Sequence, residues 1–217
     1  MIRRSTLREQ VVAALRDEIL AGRLPAGRDF TVKEIAEQYG VSATPVREAL
    51  VDLAAQGLLD AEQHRGFRVH EFSVEDFRAM VEARGLIMDG VFRRLRNGDG
   101  APPPCQAELT SVRRRAVAAQ RAALAGDLDV LIGYDLRFWR ELGDLVHNPY
   151  LRDFLDRMRT HCWAYAVPVL RRGGPLAGRL WAGHRELLDA VEGRDVESVR
   201  RLLEAYDAHT LALVCRA

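Results

Sequence analysis

Apolar and polar positions at the start of the chain alternate at helical spacing. Apolar residues recur every four positions in the first segment, at Leu7, Val11, Leu15 and Ile19. This spacing puts them on one face of an amphipathic helix, and the helix is expected to stop at Gly22.

Two shorter helices joined by a tight turn are expected next. The first ends at Gly40, because glycine tolerates a left-handed C-cap. The second is expected to begin at Thr44 and Pro45, with threonine as the N-cap and proline at the first helical position, where its missing N–H costs no hydrogen bond. The buried faces of the two helices are predicted to consist of Val32, Ile35, Ala36 and Tyr39, and of Val46, Ala49, Leu50 and Leu53.

The stretch that follows is typical of a small β-hairpin. Phe67 and Val69 alternate with Arg68 and His70, and Gly66 can form the turn. Two short helices across a glycine turn, with a supporting helix before them and a hairpin after them, predict a winged helix-turn-helix.

From Ser73 onward the pattern is helical only. Ser73 can cap a helix that reaches about residue 96. Glycine and proline joints separate further helices, predicted at about 105–125, 128–147, 149–171, 176–192 and 195–215. The predicted fold class is therefore mainly α. A winged helix-turn-helix over residues 1–72 is followed by an all-helical bundle over residues 73–217.

Composition narrows the class of protein. Of the 217 residues 48% are hydrophobic and 29% charged, with a net charge of +1, which is typical of a soluble globular protein. No apolar run reaches the roughly 18 residues of a membrane span, and the N-terminus lacks the apolar segment of a secretory signal. We therefore expect a cytoplasmic protein with no membrane partner. Cys105, Cys162 and Cys215 lack C-x-x-C spacing, so neither a disulfide framework nor a zinc knuckle is predicted.

The candidate chemistry of the front domain lies around the start of the third helix. A helix that enters the major groove of DNA needs small polar residues near the phosphates and a long donor directed at a base edge or the backbone. Ser42, Thr44 and Arg47 supply this set, and the backbone amides at the helix start favour phosphate. The alternative is that Arg47 is an ordinary surface arginine paired with Asp52 or Glu48.

Two segments of the front domain agree with a known family in order and spacing. They read GRLPAGRDFTVKEIAEQYGVSATPVREALVDLAAQGLL and HRGFRV. Over about residues 5–70 the chain resembles the winged-helix domain of GntR-type bacterial transcription regulators. The resemblance implies that the helical residues facing DNA are Lys33, Ser42, Thr44 and Arg47, and that the wing residues reaching the minor groove are His64, Arg65 and Gly66.

Ala43 departs from the pattern of that family, which usually has an arginine between the serine and the threonine. One major-groove donor is therefore missing, and a bidentate arginine is worth roughly 1–3 kcal/mol of discrimination between bases. We expect an altered or less stringently read operator. Residues 1–72 contain ten basic and eleven acidic side chains, so dimerisation is expected to supply affinity by doubling the contacts.

The bundle is similar to the FCD effector-binding domain of the FadR subfamily, which commonly holds a divalent metal with one aspartate and three histidines. Asp135 in YDLRFW and His184 in AGHRELL fit two of these ligands. Trp139 and Tyr206 stand at the other two positions, and His209 lies almost one turn further along the chain. Because an indole cannot coordinate a metal, we predict that no metal binds here.

Without a metal, Asp135 and His184 are expected to pair directly or to hold the polar end of an effector, with Trp139 and Tyr206 forming an aromatic wall. The alternative is that His184 is a satisfied core histidine and Trp139 fills volume. The resemblance also places Arg84, in VEARGLI, toward the cavity, where it can meet an effector carboxylate. Otherwise Arg84 is a surface arginine.

Three further residues are weaker candidates for the effector site. Asn148, in HNPYL, can reach the pocket, although Asn-Pro is also ordinary turn chemistry. Arg159 and Tyr165 rank below it.

An enzyme is the second hypothesis. His161 and Cys162 are adjacent, but neighbours on a helix point in directions about 100° apart and cannot form a catalytic dyad. The sequence contains no Walker loop, G-x-S-x-G or HExxH motif. The remaining alternative is a helical metabolite-binding protein or a hydrolase that uses Asp135 and His184.

The sequence therefore predicts a homodimeric, ligand-responsive transcription regulator that is not an enzyme. We expect it to bind a palindromic operator in double-stranded DNA, with repression implied by the family resemblance. The expected effector is a small organic acid or an acyl compound, and no cofactor is predicted.

Overall fold

The computed structural model describes residues 6–62, 66–96 and 106–215. The chain divides into two compact units, Met1–Ser73 and Val74–Ala217. The described residues form mainly helices with one small sheet, so the predicted fold class is confirmed. None of the described helices is long and apolar enough to cross a membrane.

The described residues of the first unit form three helices and three short strands. In chain order they are α1 (Leu7–Leu20), β1 (Asp29–Phe30), α2 (Val32–Tyr39), α3 (Ala43–Ala55), β2 (Leu59–Glu62) and β3 (Gly66–Val69). The sheet is antiparallel with the order β1-β3-β2. The wing is therefore a hairpin extended by β1, whose two residues the sequence pattern did not reveal.

Capping boxes fix the N-termini of α1 and α2, the two helices before α3. Thr6 and Glu9 form a capping box on α1, and Thr31 and Glu34 form another on α2. In each box the threonine hydroxyl accepts the glutamate backbone N–H, and the glutamate carboxylate accepts the threonine backbone N–H, so two otherwise unpaired donors are satisfied. Gly40 ends α2 in the left-handed conformation, with φ of 63°, as its sequence position predicts.

The start of α3 differs from the sequence prediction. Ser42 is the N-cap residue and Ala43 is the first helical residue, so the expectation that Thr44 caps the helix is wrong. Pro45 is the third helical residue, and it is tolerated there because the first four N–H groups of a helix have no intrahelical partner. The buried face is as expected, with 0% exposure of Val46, Ala49, Leu50 and Leu53.

The regular elements in the described part of the second unit are all helices. Its helices are α4 (Val74–Arg96), α5 (Gln106–Ala125), α6 (Leu128–Asp144), α7 (Pro149–Arg172), α8 (His184–Glu192) and α9 (Val196–Val214). The five other predicted helices lie within a few residues of their expected bounds, but the one expected over 176–192 begins only at His184.

An irregular segment replaces the first half of that predicted helix. The Arg179 guanidinium donates to the Gly173 and Pro175 carbonyl oxygens, at 2.8 and 3.1 Å. Gly183 lies so close to the Trp181 ring that an added Cβ would be 2.7 Å from it. These contacts hold a compact turn and place Trp181 against the bundle, which a continuous helix would not do.

The core of the second unit encloses charged side chains. Apolar residues such as Phe138, Leu187 and Leu188 are fully buried. Arg84, Asp135, Arg159 and His184 are nevertheless also at most 5% exposed. Buried charges are costly unless they are paired and hydrogen-bonded, so this polar cluster identifies the part of the bundle where function is to be sought.

Candidate functional site

The leading edge of α3 is exposed and its opposite face is buried. Ser42, Thr44 and Arg47 are exposed, whereas Val46 and Ala49 are completely buried. The Ser42 hydroxyl makes no capping bond to the helix. Small polar groups and one long cationic side chain are therefore available to an external partner at a helix N-terminus, which also favours anions.

Arg47 forms no hydrogen bond or ion pair with any described residue. The Asp52 carboxylate is instead bound by the Arg8 guanidinium at 3.2 Å. The alternative in which Arg47 pairs with Asp52 is therefore wrong.

A shallow groove connects α2, the start of α3 and the wing. Lys33, Ala43, Arg47 and Gly66 all line it. Lys33 makes only a long contact with Glu37, 3.8 Å between nitrogen and oxygen, with both side chains largely exposed. The two cations therefore lie on one concave surface, and the alanine that replaces the expected arginine opens onto the same surface.

Only part of the predicted wing contact can be described. His64 and Arg65 lie outside the described residues. Gly66 has φ of +102°, and an added Cβ would be 2.5 Å from the Phe30 carbonyl oxygen. Glycine is thus required here by backbone conformation and by the close approach of β3 to β1.

A cavity of about 50 Å³ lies among the helices of the second unit. Four of the predicted effector residues line it, namely Arg84, Asp135, His184 and Tyr206. Apolar residues complete most of the wall, among them Phe77, Leu131, Leu170, Leu180 and Leu213. The volume accommodates a few water-sized groups, so a small polar group fits beside an apolar surface.

Asp135 is the centre of the buried polar cluster. Its Oδ1 accepts hydrogen bonds from Trp139 Nε1 and His184 Nε2, both at 2.9 Å, and its Oδ2 accepts from Trp163 Nε1 at 2.8 Å. Burial opposes ionisation, but the His184 bond, the nearby Arg159 charge and the Trp163 bond outweigh it and lower the pKa of Asp135. The predicted direct pairing of Asp135 with His184 is confirmed.

The aromatic wall has a different membership from the predicted one. Tyr206 lines the cavity, whereas Trp139 lies behind it with its N–H bound to Asp135. Trp181 lines the cavity beside Tyr206, with 4.8 Å between ring centroids. Neither Trp163 nor Trp181 was among the candidate residues from the sequence. The position of Trp181 depends on the irregular turn before α8, which no sequence pattern predicted. Burial raises the pKa of Tyr206 to about 12, so its hydroxyl remains protonated near neutral pH.

Arg84 is buried, with 2% exposure, so the interpretation of it as a surface arginine is wrong. Its Nη2 donates to the Asp207 carboxylate, and its Nη1 has no hydrogen-bond partner among the described residues. Burial disfavours its charge, but Tyr206 and Asp207 more than offset this and raise the pKa of Arg84.

Arg159 is more central than the sequence suggested. It lines the cavity with 5% exposure, and its guanidinium lies 3.5 Å from the centroid of the Trp139 ring. Its Nη1 is buried and has no hydrogen-bond partner in the part of the chain that the structure describes. Burial and the neighbouring Arg84 charge lower the pKa of Arg159 to about 10. A sequence signal existed, because Leu155, Arg159, Cys162 and Ala166 share the buried stripe of α7.

Asn148 does not line this cavity. Its side-chain oxygen instead accepts the backbone N–H groups of Tyr150 and Leu151, at 3.1 and 3.2 Å, and caps α7. The prediction that Asn148 reaches the pocket is therefore corrected, and ordinary Asn-Pro turn chemistry accounts for this residue.

The residues of the cavity do not fit the metal site that the family resemblance implies. Both oxygens of Asp135 already accept N–H donors, and His184 Nε2 is one of these donors. His209 Nε2 contacts the Arg179 carbonyl oxygen at 2.9 Å. Among the described residues, no group of three or more His, Cys, Asp or Glu side chains could hold a metal ion.

Two family models match the chain. Residues 7–69 match the model described as bacterial regulatory proteins of the gntR family, and residues 103–208 match the FCD domain. Among curated proteins, a probable D-xylose utilization operon transcriptional repressor of Paenarthrobacter nicotinovorans is 30% identical, covering 92% of this chain and 85% of the relative. The uncharacterized HTH-type transcriptional regulator BphR of Paraburkholderia xenovorans is 35% identical, covering 96% and 85%.

Two solved structures share the fold along nearly their whole length. Escherichia coli McbR/YncC aligns with a TM-score of 0.77 at 22% identity, covering 98% of this chain and 99% of that protein. A putative GntR transcriptional regulator of Rhodococcus sp. RHA1 aligns with a TM-score of 0.74 at 21% identity and the same coverage. At these identities the likeness concerns the fold.

Proposed function

Because the chain belongs to the GntR family of bacterial regulatory proteins and carries an FCD domain, we propose that it binds a palindromic DNA operator as a homodimer. Binding of a metabolite then lowers or raises its affinity for the operator. The observation that carries this proposal is the exposed leading edge of α3, where Ser42, Thr44 and Arg47 face outward from a fully buried stripe. Residues 1–72 form the DNA-binding domain, and residues 73–217 form the effector-binding and dimerisation domain.

Each exposed group has a role that suits its chemistry. Arg47 has the length and the planar donor pair to reach a base edge or a phosphate in the major groove. Ser42, Thr44 and the backbone amides of the first turn bind phosphate. Lys33 adds a second cation across the groove, and the wing residues His64, Arg65 and Gly66 approach the minor groove.

Charge explains why two copies are needed. One front domain has a net charge of −1 over residues 1–72, so general attraction to DNA is weak and local contacts must supply the affinity. A homodimer doubles those contacts on an inverted repeat, with half-sites about one helical turn apart. Binding to an operator places the protein with the chromosome, in the bacterial cytoplasm.

The cavity of the FCD domain is the proposed effector site. Its cationic and apolar lining suits an organic acid or an acyl compound, with Arg84, Asp135, His184 and Tyr206 at the polar end and Trp139 behind them. Repression is the proposed sign, and it is supported by the name of the Paenarthrobacter relative. No resident cofactor is proposed.

A binding role suits the cavity better than catalysis. The family consists of transcription regulators. Burial raises the pKa of the Cys162 thiol, which disfavours the thiolate that a nucleophile requires. His184 Nε2 is bound to Asp135, and its Nδ1 has no hydrogen-bond partner among the described residues, so the hydrolase alternative lacks a nucleophile hydrogen-bonded to its base.

The proposal is tested first by in vitro selection of random duplex DNA with the full-length protein. Inverted repeats should emerge, and each repeat should shift one dimer in a gel. Arg47→Ala should weaken this binding by about tenfold or more, since bidentate arginine contacts are worth roughly 1–3 kcal/mol per base. Arg23→Ala is the control, because Arg23 is exposed in the turn after α1 and pairs with Glu18 at 2.9 Å. Equal binding by both variants, or no selected sequence, would refute the proposal.

The only lysine of the chain provides an independent test. Lys33 is the single lysine of the sequence, and it is largely exposed. Acetylation by an amine-reactive reagent therefore reports on one position besides the N-terminus, and mass spectrometry separates the two. The selected operator should protect Lys33, whereas a scrambled duplex should not. Equal acetylation with both duplexes would remove Lys33 from the interface.

A further inference from the structure

The bundle buries a cation for which the described part of the chain supplies no hydrogen-bonding anion. Arg159 is 5% exposed, borders the cavity and leaves Nη1 without a partner. We propose that Arg159 is the anchor for the anionic end of the effector, and that it makes this FCD domain independent of metal. The proposal rests on the proposed function, since it requires that the cavity binds an effector.

The nearest carboxylates are already engaged. Asp135 accepts N–H groups from two tryptophans and from His184. Asp207 is hydrogen-bonded to Arg84. None of the described residues accepts a hydrogen bond from Arg159, although a guanidinium has five N–H donors. A ligand anion would supply the missing acceptor.

Arg159 is held in place without being neutralised. The Trp139 ring lies against the guanidinium at 3.5 Å from its centroid, which fixes the plane of the donors through a cation–π contact. Arg84 and Arg159 both approach Tyr206, at 4.9 and 5.6 Å from its ring centroid. Two neighbouring cations repel each other, and an anion between or beside them would relieve that repulsion.

The same contacts explain why a metal is not needed. A metal ion in such a site would supply positive charge beside Asp135. Here the Trp139 indole fills one of the ligand positions that the family resemblance implies, donates to Asp135 and carries the Arg159 guanidinium on its face. A fixed organic cation therefore stands beside the aspartate, and small carboxylates such as formate or acetate match its donor geometry and the volume of about 50 Å³, with butyrate as the longer homologue.

Tryptophan fluorescence reports on this site, because all three tryptophans of the chain lie in or next to the cavity wall. The chain contains three tryptophans, which are Trp139 beneath Arg159, and Trp163 and Trp181 in the cavity wall. The full-length protein, first treated with EDTA, is titrated with sodium formate, acetate and butyrate, with sodium chloride at equal ionic strength as the blank. We expect a saturable fluorescence change with at least one carboxylate and the same Kd after addition of Zn²⁺.

Variants on α7 assign the response to one residue. Arg159→Gln should weaken carboxylate binding by about tenfold or more, because a charge-assisted bond is lost. Arg157→Gln should bind like the native protein, since Arg157 is exposed on the same helix. Arg159→Lys should retain part of the binding, because it keeps the charge.

Circular dichroism confirms that each variant is folded before titration. Should Arg159→Gln fail to fold, the metal arm of the titration still decides, because the native protein alone is compared with and without Zn²⁺. Binding that needs Zn²⁺, equal binding by native and Arg159→Gln proteins, or no saturable response to any of the three carboxylates would overturn the proposal. Operator binding in the gel assay is scored separately, so loss of this inference is distinguishable from loss of the regulator function.

Discussion

Asp135 offers the sharpest test of the buried cluster, through the substitution Asp135→Asn. Asparagine keeps one acceptor oxygen, which can still receive Trp139 Nε1 and His184 Nε2, but it replaces Oδ2 with an NH₂ group that faces Trp163 Nε1. Two donors then oppose each other in a buried site. The substitution also removes the negative charge beside the buried Arg159.

The expected loss follows from these contacts. Hydrogen bonds to charged groups are worth about 1.5–3 kcal/mol, and removing one partner from a buried ion pair costs about 3–5 kcal/mol. We therefore expect the free energy of unfolding of the second unit to fall by about 3–5 kcal/mol. Because the folded-state pKa of Asp135 is lowered, its stabilisation is present above the unfolded-state pKa and is lost as pH falls through the folded-state pKa. The difference between native and variant should therefore shrink in acid.

Urea unfolding followed by tryptophan fluorescence is the suitable assay, because all three tryptophans belong to the second unit. Asp129→Asn is the matched control on the same helix: Asp129 is 64% exposed and pairs with Arg171 at 2.6 Å, and such surface pairs contribute about 0–1 kcal/mol. If Asp135→Asn lost no more stability than Asp129→Asn, the assignment of Asp135 as the organising anion of the bundle would be refuted.

Three further substitutions test other parts of the molecule. Ala43→Arg should tighten binding to a GntR-like palindrome by roughly 1–3 kcal/mol per half-site, and an unchanged affinity in a gel-shift titration would count against the placement of Ala43 in the groove. Gly66→Ala should weaken operator binding and lower the melting temperature of the first unit, because φ is +102° and the added Cβ meets the Phe30 carbonyl; unchanged values would contradict the close approach. Arg159→Met should raise the urea midpoint of the ligand-free protein, since the depressed pKa of Arg159 reflects a buried charge that is incompletely compensated; a lower midpoint would mean that the arginine is mainly structural.

Local signals made most of the fold predictable. The four-residue spacing and the left-handed cap at Gly40 are properties of short segments, and α1 and the Gly40 cap form as expected. Val11, Leu15 and Ile19 are buried, whereas Leu7 is 44% exposed at the start of α1. The exact start of α3 was missed by two residues, because Ser42 and Thr44 are both good N-cap residues. The segment before His184 was missed because its conformation depends on packing of Trp181, which lies outside any local pattern.

The cavity was only partly predictable for a related reason. Asp135 and His184 could be paired from the family resemblance, and the structure joins them at 2.9 Å. Trp163 comes from α7 and meets the other oxygen of Asp135, a contact between segments 28 residues apart that sequence spacing does not encode. Arg159 was ranked low because arginine is usually exposed, although its position on the apolar stripe of α7 predicted burial.

Burial changes the meaning of an unpaired arginine. Arg47 has no partner among the described residues, but water can solvate it, so the missing partner alone indicates little. Its significance comes from its position at the leading edge of α3, beside Lys33 and the wing. Water has little access to Arg159, at 5% exposure, and the missing partner there represents an uncompensated free-energy cost. The proposal of an anionic effector therefore rests on Arg159, which was among the weakest candidates from the sequence. The proposed DNA contacts rest on the pattern of Ser42, Thr44 and Arg47, which the sequence already showed.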